Sequence, residues 1–535
     1  MRERIPLFVL LASSLTFLAS LFLPWRETTL PSSGGVYSLL GQFSGNGHEY
    51  DGWVTGVGDV AVLLVVAIVV ATIAALRHSQ LAARLPIGRL AVALGYFAIA
   101  VAVTVHTLSE LFLNAFTAHR PSHASWTYGV YLGLASAGIA LVSGLGYRRS
   151  DLLRPREAAD VVACVLGVAL LISFLLPWVA YGPEGSSAPG IESPAAAIAA
   201  LGLILGAGWL LGERGGRWRL PFAIATAILT GATASAVAVG GSHRYGTWIG
   251  IACAVALVAF EAVRAWPLRL LALPRGSTAV RMGAAALLIV SLFLPWQEFA
   301  HAPITFIGWY PATGAAAGAL CLLVLATPVL PALEGYVLDT AVAIALFVSA
   351  LATAYRADAP FSRLDYGAIV GFVGAGILLI ATLVSFRAAH VERSRALVRA
   401  VPLAVAVLCV ACFMVPWWNV LPQDWTSQAS PLYNWLAVPG LLLALYLVRL
   451  WAIQMRRRAR TDGRLTVVPL VLLTLPALEL IRFREDPNVQ WGALILVGLC
   501  LLLALLGWIE EDRSLETVRV PEEIWRVDRL PGAES

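Results

Sequence analysis

Ionisable side chains set inside long apolar stretches are where a membrane-embedded chain does chemistry. A charge at that depth is costly unless it serves transport, proton relay or pairing. This sequence holds few of them. Asp59 follows Gly56 and Gly58 at the head of an apolar run and has no acidic counterpart in later runs, which makes it the candidate functional polar residue. His106 and Glu110 lie at the end of another run. Glu261 precedes Arg264, and Glu479 precedes Arg482, at a spacing that places both side chains on one helix face. All lie near run ends, where snorkelling and capping are the plain reading.

Metal-ligand types cluster once, in His48, Glu49, Asp51, His119 and His123. Pro121 interrupts the last pair as a helical site, so these read as solvated loop residues. Cys164, Cys253, Cys321, Cys409, Cys412 and Cys500 all fall inside apolar runs. None lies in a loop on the outer side, so no disulfide framework is indicated, and none has a histidine at metal-site spacing. There is no nucleophile elbow, phosphate-binding glycine loop or dinucleotide fingerprint. The expectation is a protein that is not an enzyme and that takes no cofactor and no metal.

The elements that position these residues follow from composition. Of 535 residues, 59% are hydrophobic and only 13% charged, and the mean hydropathy is +0.80. Apolar runs near the ~20 residues that cross a bilayer core recur throughout. The first, behind Arg2 and Arg4, is too long for a signal-peptide core and lacks a small-x-small cleavage pattern.

One phrase recurs four times at run ends: a small hydrogen-bond donor, three apolar residues, then Pro-Trp. Its copies carry Pro24 and Trp25, Pro177 and Trp178, Pro295 and Trp296, and Pro416 and Trp417. The donor, four residues before each proline, is Ser20, Ser173, Ser291 or Cys412. Proline frees the carbonyl at that place, which the small donor is expected to satisfy, and the tryptophan is expected to anchor in the headgroup layer. A second phrase, Tyr-Gly-x-x-x-Gly, opens the last run of three units through Gly129 and Gly133, Gly246 and Gly250, and Gly367 and Gly371. Trp491-Gly492 opens it in the fourth, with Leu496 in place of the second glycine. Such glycines let helices approach closely.

Together the phrases predict an all-α integral membrane protein of about sixteen spans in four tandem, parallel four-helix repeats. The repeats cover 1–150 (with longer outer loops), 151–275, 276–396 and 397–510, and an acidic cytoplasmic tail covers 511–535. The predicted spans are Ile5–Trp25, Val54–Leu76, Leu90–Leu108 and Tyr128–Tyr147, then Ala159–Trp178, Pro194–Leu211, Pro221–Val239 and Tyr245–Val263. Val280–Trp296, Pro311–Leu330, Tyr336–Ala354 and Tyr366–Ser385 follow, and Val401–Trp417, Tyr433–Trp451, Leu465–Leu480 and Trp491–Trp508 complete the set.

With the N-terminus inside, 30 of the 37 arginines fall on inner segments and 7 on outer ones, which predicts both termini inside. The inner link around Glu334 is the one without an arginine. The chain contains no lysine. Together with the alanine and glycine content, this points to a GC-rich bacterial genome and a plasma (inner) membrane. Arg456, Arg457, Arg458 and Arg460 form a basic stretch suited to anionic lipid. The positive balance serves topology, and no nucleic-acid partner is implied. Scarce buried charge favours a non-enzymatic scaffold or assembly partner. The alternative is a transporter, channel or lipid-handling protein with a path between the repeats. The protein partner, or the neutral or lipid substrate, is not encoded legibly.

Overall fold

A computed structural model of the chain describes residues 5–29, 47–51, 55–77, 86–116, 123–147, 158–181, 186–210, 218–237, 242–265, 276–299, 305–329, 331–357, 362–389, 400–413, 418–419, 428–429, 437–457, 464–482 and 493–510. Sixteen α-helices lie among them. The first eight are α1 (Ile5–Leu21), α2 (Gly56–Arg77), α3 (Ile87–Phe116), α4 (Tyr128–Tyr147), α5 (Ala158–Leu175), α6 (Pro194–Leu210), α7 (Arg219–Val237) and α8 (Tyr245–Arg264). The next are α9 (Ser277–Phe293), α10 (Ala312–Ala326), α11 (Val337–Ala357), α12 (Tyr366–Ala389), α13 (Ala400–Cys412), α14 (Ala437–Arg457) and α15 (Arg464–Arg482). The last is α16 (Ala493–Glu510). Runs of Leu, Ala and Val become helices because only a helix satisfies its own backbone where water is absent. Seven are long and apolar enough to cross a membrane.

Outward faces carry the surface a bilayer demands. Tyr131, Ile139 and Val142 on α4, Trp248, Val255 and Val263 on α8, and Ile369, Ile380 and Val384 on α12 are exposed. The chain is a multi-pass helical membrane protein. Its contacts fall into two compact units, Met1–Gly335 with Ala359–Ala381, and Tyr336–Asp358 with Thr382–Ser535.

In the first unit, α1 packs on α2 and α4, and α3 packs on both of those, which closes a ring of four. Helices α5 to α8 close the same ring. The rings meet where α3 packs on α6: Arg89 Nη1 donates to the Leu205 carbonyl at 2.8 Å, and the Tyr96 hydroxyl donates to the Leu171 carbonyl at 3.0 Å. Helix α7 packs on α10 in the same sense, and α6 also meets α10. That last contact is built from small side chains, Ala195, Ala196, Ala197 and Ala200 being buried on α6 and Ala312 to Gly318 on α10. In the second unit α11 packs on α14, with the Arg449 guanidinium over the Tyr336 ring and paired with Asp339.

The connections at the proline ends of the helices are not plain loops. Strands β1 (Pro24–Thr29), β2 (Gly47–Asp51) and β3 (His123–Trp126) form an antiparallel sheet with β1 in the middle. Strands β4 (Pro177–Tyr181), β5 (Ser186–Pro189) and β6 (Ser242–His243) repeat it, as do β7 (Pro295–Phe299), β8 (Thr305–Ile307) and β9 (Ser362–Leu364). A two-stranded pair, β10 (Trp418–Asn419) with β11 (Gln428–Ala429), follows. The strands escape a sequence reading because most have only two to five residues, too few for an alternating pattern.

At the helix ends away from these sheets the polar links are tied by ion pairs. Asp160 on α5 receives Arg264 at 3.1 Å and Arg219 at 3.3 Å, and Arg264 also meets Glu261 at 3.4 Å. The expected same-face pair of Glu261 and Arg264 is thus half of a four-charge cluster spanning three helices. The arginine-poor link around Glu334 takes its cation from α9, where buried Arg281 reaches Glu334 at 2.6 Å. Removing one member of a buried cluster leaves uncompensated charge. Asp160→Ala, which takes the carboxylate from two arginines, is therefore expected to cost about 3 kcal/mol or more. Glu334→Ala, which leaves buried Arg281 without its carboxylate, should also destabilise, though less because Glu334 itself is half exposed. Melting of both variants in detergent checks the order.

Candidate functional site

The Pro-Trp phrase folds as a corner in which every polar group is accounted for. Pro24, Pro177 and Pro295 each end the approach of a helix and begin a strand. The serine four residues earlier spends its hydroxyl on a different oxygen from the one proline frees. Ser20 Oγ donates to the Phe17 carbonyl, Ser173 Oγ to Leu170 and Ser291 Oγ to Leu288, each at 2.7 Å. Each freed carbonyl accepts two other donors, the backbone N–H three residues on (Leu23, Leu176 and Leu294, at 3.0–3.1 Å) and the indole N–H: Trp25 Nε1 to Ser20 O at 2.7 Å, Trp178 Nε1 to Ser173 O at 2.6 Å, and Trp296 Nε1 to Ser291 O at 2.8 Å. This corrects the expected role of the serine.

The tryptophans sit where the strand skips a register step, between Pro24 and Arg26, Pro177 and Val179, and Pro295 and Gln297. A bulge re-aims its side chain, and here the indole turns inward. Trp25, Trp178 and Trp296 have no exposed surface, so they are not headgroup anchors. Exposed Tyr128, Tyr245 and Tyr366 lie beside the corners and present the amphipathic rings that suit an interface. Pro416 and Trp417 lie outside the described residues.

Each indole lies on the glycine pair of the fourth helix, so the two recurring phrases are halves of one contact. A β-carbon on Gly129, Gly246 or Gly367 would stand 2.3, 2.5 and 2.3 Å from the carbonyl oxygen of Pro24, Pro177 and Pro295. One on Gly133, Gly250 or Gly371 would stand 2.5 Å from Cζ2 of the matching ring. The Trp25 carbonyl accepts Thr127 N–H at 3.1 Å, that of Trp178 accepts Arg244 N–H at 2.8 Å, and that of Trp296 accepts Asp365 N–H at 3.0 Å.

A third glycine completes the seat, and the sequence reading missed it. Gly190 and Gly308, each thirteen residues after its proline, bring backbone against the indole: a β-carbon on either would lie 2.7 Å from Nε1 of Trp178 or Trp296. The common offset was the available signal. Gly246→Ala and Gly250→Ala are expected to lower the melting temperature by several degrees, at about 1–3 kcal/mol each for overpacking. Gly138→Ala and Gly231→Ala, which face open space, should be neutral or gain about 0.5–1 kcal/mol from lost glycine freedom.

Asp59 lies in the first turn of α2 and is 2% exposed. Thr55 caps that turn, its Oγ1 accepting Gly58 N–H at 2.9 Å, and its carbonyl accepts the Asp59 N–H at 3.1 Å. A carboxylate there complements the helix dipole. Near it, a 3-10 turn, Gly190–Glu192, packs against α2, α5, α6 and α7. Glu192 Oε1 and Ser193 Oγ are buried and without hydrogen-bond partners among the described residues. Burial pushes the Glu192 carboxyl up to about 8.

A carboxyl whose folded pKa exceeds its unfolded value stays protonated in the fold while ionising in the unfolded chain. Stability is therefore lost as pH rises from about 4.5 through about 8. Glu192→Gln should remove that decline and melt higher than the parent above pH 8. Melting of both proteins between pH 5 and 9 measures it.

Outside the corners, Arg26 Nη2 reaches Glu110 at 2.5 Å and lies over the Trp126 ring, on which exposed His106 also packs. Of the loop residues His48, Glu49, Asp51 and His123 the strands fix only the register, His48 level with Thr28 and His123 level with Thr29. Residue 119 lies outside the described residues. Among the described residues no group of three His, Cys, Asp or Glu has metal-site geometry. No protein family, no curated protein and no solved structure matches the chain.

Proposed function

We propose that the chain is a sixteen-span inner-membrane protein of a prokaryote, built from four tandem, parallel four-helix repeats with both termini inside, and that it serves as a non-enzymatic scaffold or assembly partner. The repeat reading draws support from three corners that share hydrogen bonds, strand register and glycine seats. Further support comes from a junction in which the third helix of one group meets the second helix of the next.

The scaffold reading rests on how the inner helices are filled. Where α6 meets α10, alanine and glycine pack directly, and the buried charges on the inner side neutralise one another. Such packing supports a rigid body that displays its outer faces to lipid and partners. Arg456 and Arg457 close α14, while Arg458 and Arg460 lie outside the described residues. In this reading the stretch holds anionic lipid on the inner face.

A second reading, passage of a neutral or lipid-like substrate, draws on Asp59 and Glu192. Asp59 is buried at the head of α2, and Glu192, half-buried in the turn before α6, has one buried carboxyl oxygen without a partner among the described residues. Proteoliposomes separate the two. A scaffold leaves solute leakage and lipid scrambling at the protein-free level. Transport that disappears in Asp59→Asn or Glu192→Gln would overturn the scaffold reading. Reporter fusions at residues 150, 275 and 396 should all report inside, and an outside signal at any of them would end the parallel-repeat reading.

A further inference from the structure

Three thiols meet in the last four-helix group. Cys409 and Cys412 stand one turn apart on α13, and Cys500 comes from α16. The equivalent places face each other in the third group, where a β-carbon on Gly374, beside Ala375, would lie 3.4 Å from Leu288 Cβ, and Cys500 interacts with Cys409 and Cys412. All three are buried, Cys409 and Cys500 with no exposed surface.

The other groups show what this level of the contact ordinarily holds. Seven residues before the corner prolines stand Phe17, Leu170 and Leu288, and Cys409 takes that place in the last group. Eight residues after the first glycine of each pair stand Ala137, Ala254 and Ala375, and Cys500 takes that place. All eight side chains are buried. Three groups therefore fill the level with one large apolar residue and one alanine, while the last uses two thiols.

One turn away the same group departs again. Leu496 stands where the others have Gly133, Gly250 and Gly371, so its α16 cannot seat an indole as those glycines do. The thiol pair thus occurs in the group whose ordinary first-to-fourth-helix contact is altered.

We propose that Cys409 and Cys500 are a disulfide-forming pair that fastens α13 to α16, oxidised by a small neutral peroxide. The Cys409 sulfur attacks one oxygen of hydrogen peroxide and the O–O bond breaks. Cys409 becomes a sulfenic acid, and the second oxygen leaves as water with the thiol proton. The Cys500 sulfur then displaces the hydroxyl from Cys409, the S–S bond forms, and the departing hydroxyl takes the Cys500 proton as a second water. Two thiols lose two electrons in total, and one peroxide gains them. Both thiols are buried in the bundle, so the step is slow and excludes bulky or charged oxidants. Cys412 fills the place of the corner serines and is not consumed.

The full chain in lipid nanodiscs, treated with hydrogen peroxide and then denatured for maleimide counting, tests this. Six reactive thiols should fall to four, with Cys409 and Cys500 peptides joined in the mass spectrum and the melting temperature raised. A dithiol reductant should reverse all three changes. The double variant Cys409→Leu with Cys500→Ala, which restores the residues of the second and third groups, should fold, melt like the reduced parent and keep its four thiols under peroxide. Cys412→Ser should still form the bond. Six thiols surviving oxidation, a bond mapped to Cys409 and Cys412, or oxygenated cysteines without a cross-link would each overturn the proposal.

Discussion

A proline near the end of a membrane helix takes from one carbonyl its usual helical donor, in a medium where water will not replace it. The rest of this structure is arranged around that oxygen. The indole of the next residue caps it, and to reach back the tryptophan must leave the strand register and turn toward the helices. A ring as large as indole inside a helix contact needs bare backbone on every side. The fourth helix supplies two glycines and the turn before the second helix supplies another. In the second and third groups the oxygen that loses its helical donor thus goes with a proline, a tryptophan and three glycines. The sheet follows from the same event, because the strand that starts at the corner pairs with the segments on either side of it.

What the second helices carry is complementary. Of them, α6 and α10 are rich in buried alanine and carry no charged residue. Without a hydrophobic drive between helices in lipid, close approach and short polar ties hold such a bundle together. The ties present are interhelical and lie at run ends: Arg89 to the Leu205 carbonyl, Asp160 to two arginines, Arg281 to Glu334. Each lies toward a helix end, where the arginine head is paired with a carboxylate or carbonyl of another segment.

Much of this was legible in the sequence. The helices came from apolar run length, and both recurring phrases were visible as phrases. Their partnership was not, because nothing in a linear reading says that a ring seventy residues away needs the missing side chain of a glycine. Trp25 was misjudged for a related reason: tryptophan at a helix end is common at interfaces, and only the bulge shows which way the ring turns. Asp160 carries no mark in the sequence of the two arginines from other helices that converge on it. The surroundings of Glu192 are equally illegible, because they come from four elements that meet only in the fold.

The glycine seat also sets an order of events during synthesis. The Pro24 carbonyl is met by Thr127, 103 residues later, and the Trp178 carbonyl by Thr247, 69 residues later. At roughly 5–20 residues per second a ribosome takes several seconds or more to make the missing half. Until then the first helix of each group waits in the bilayer with its ring unhoused. Each group therefore closes only when its own last helix enters the membrane, and the nascent chain matures in discrete steps.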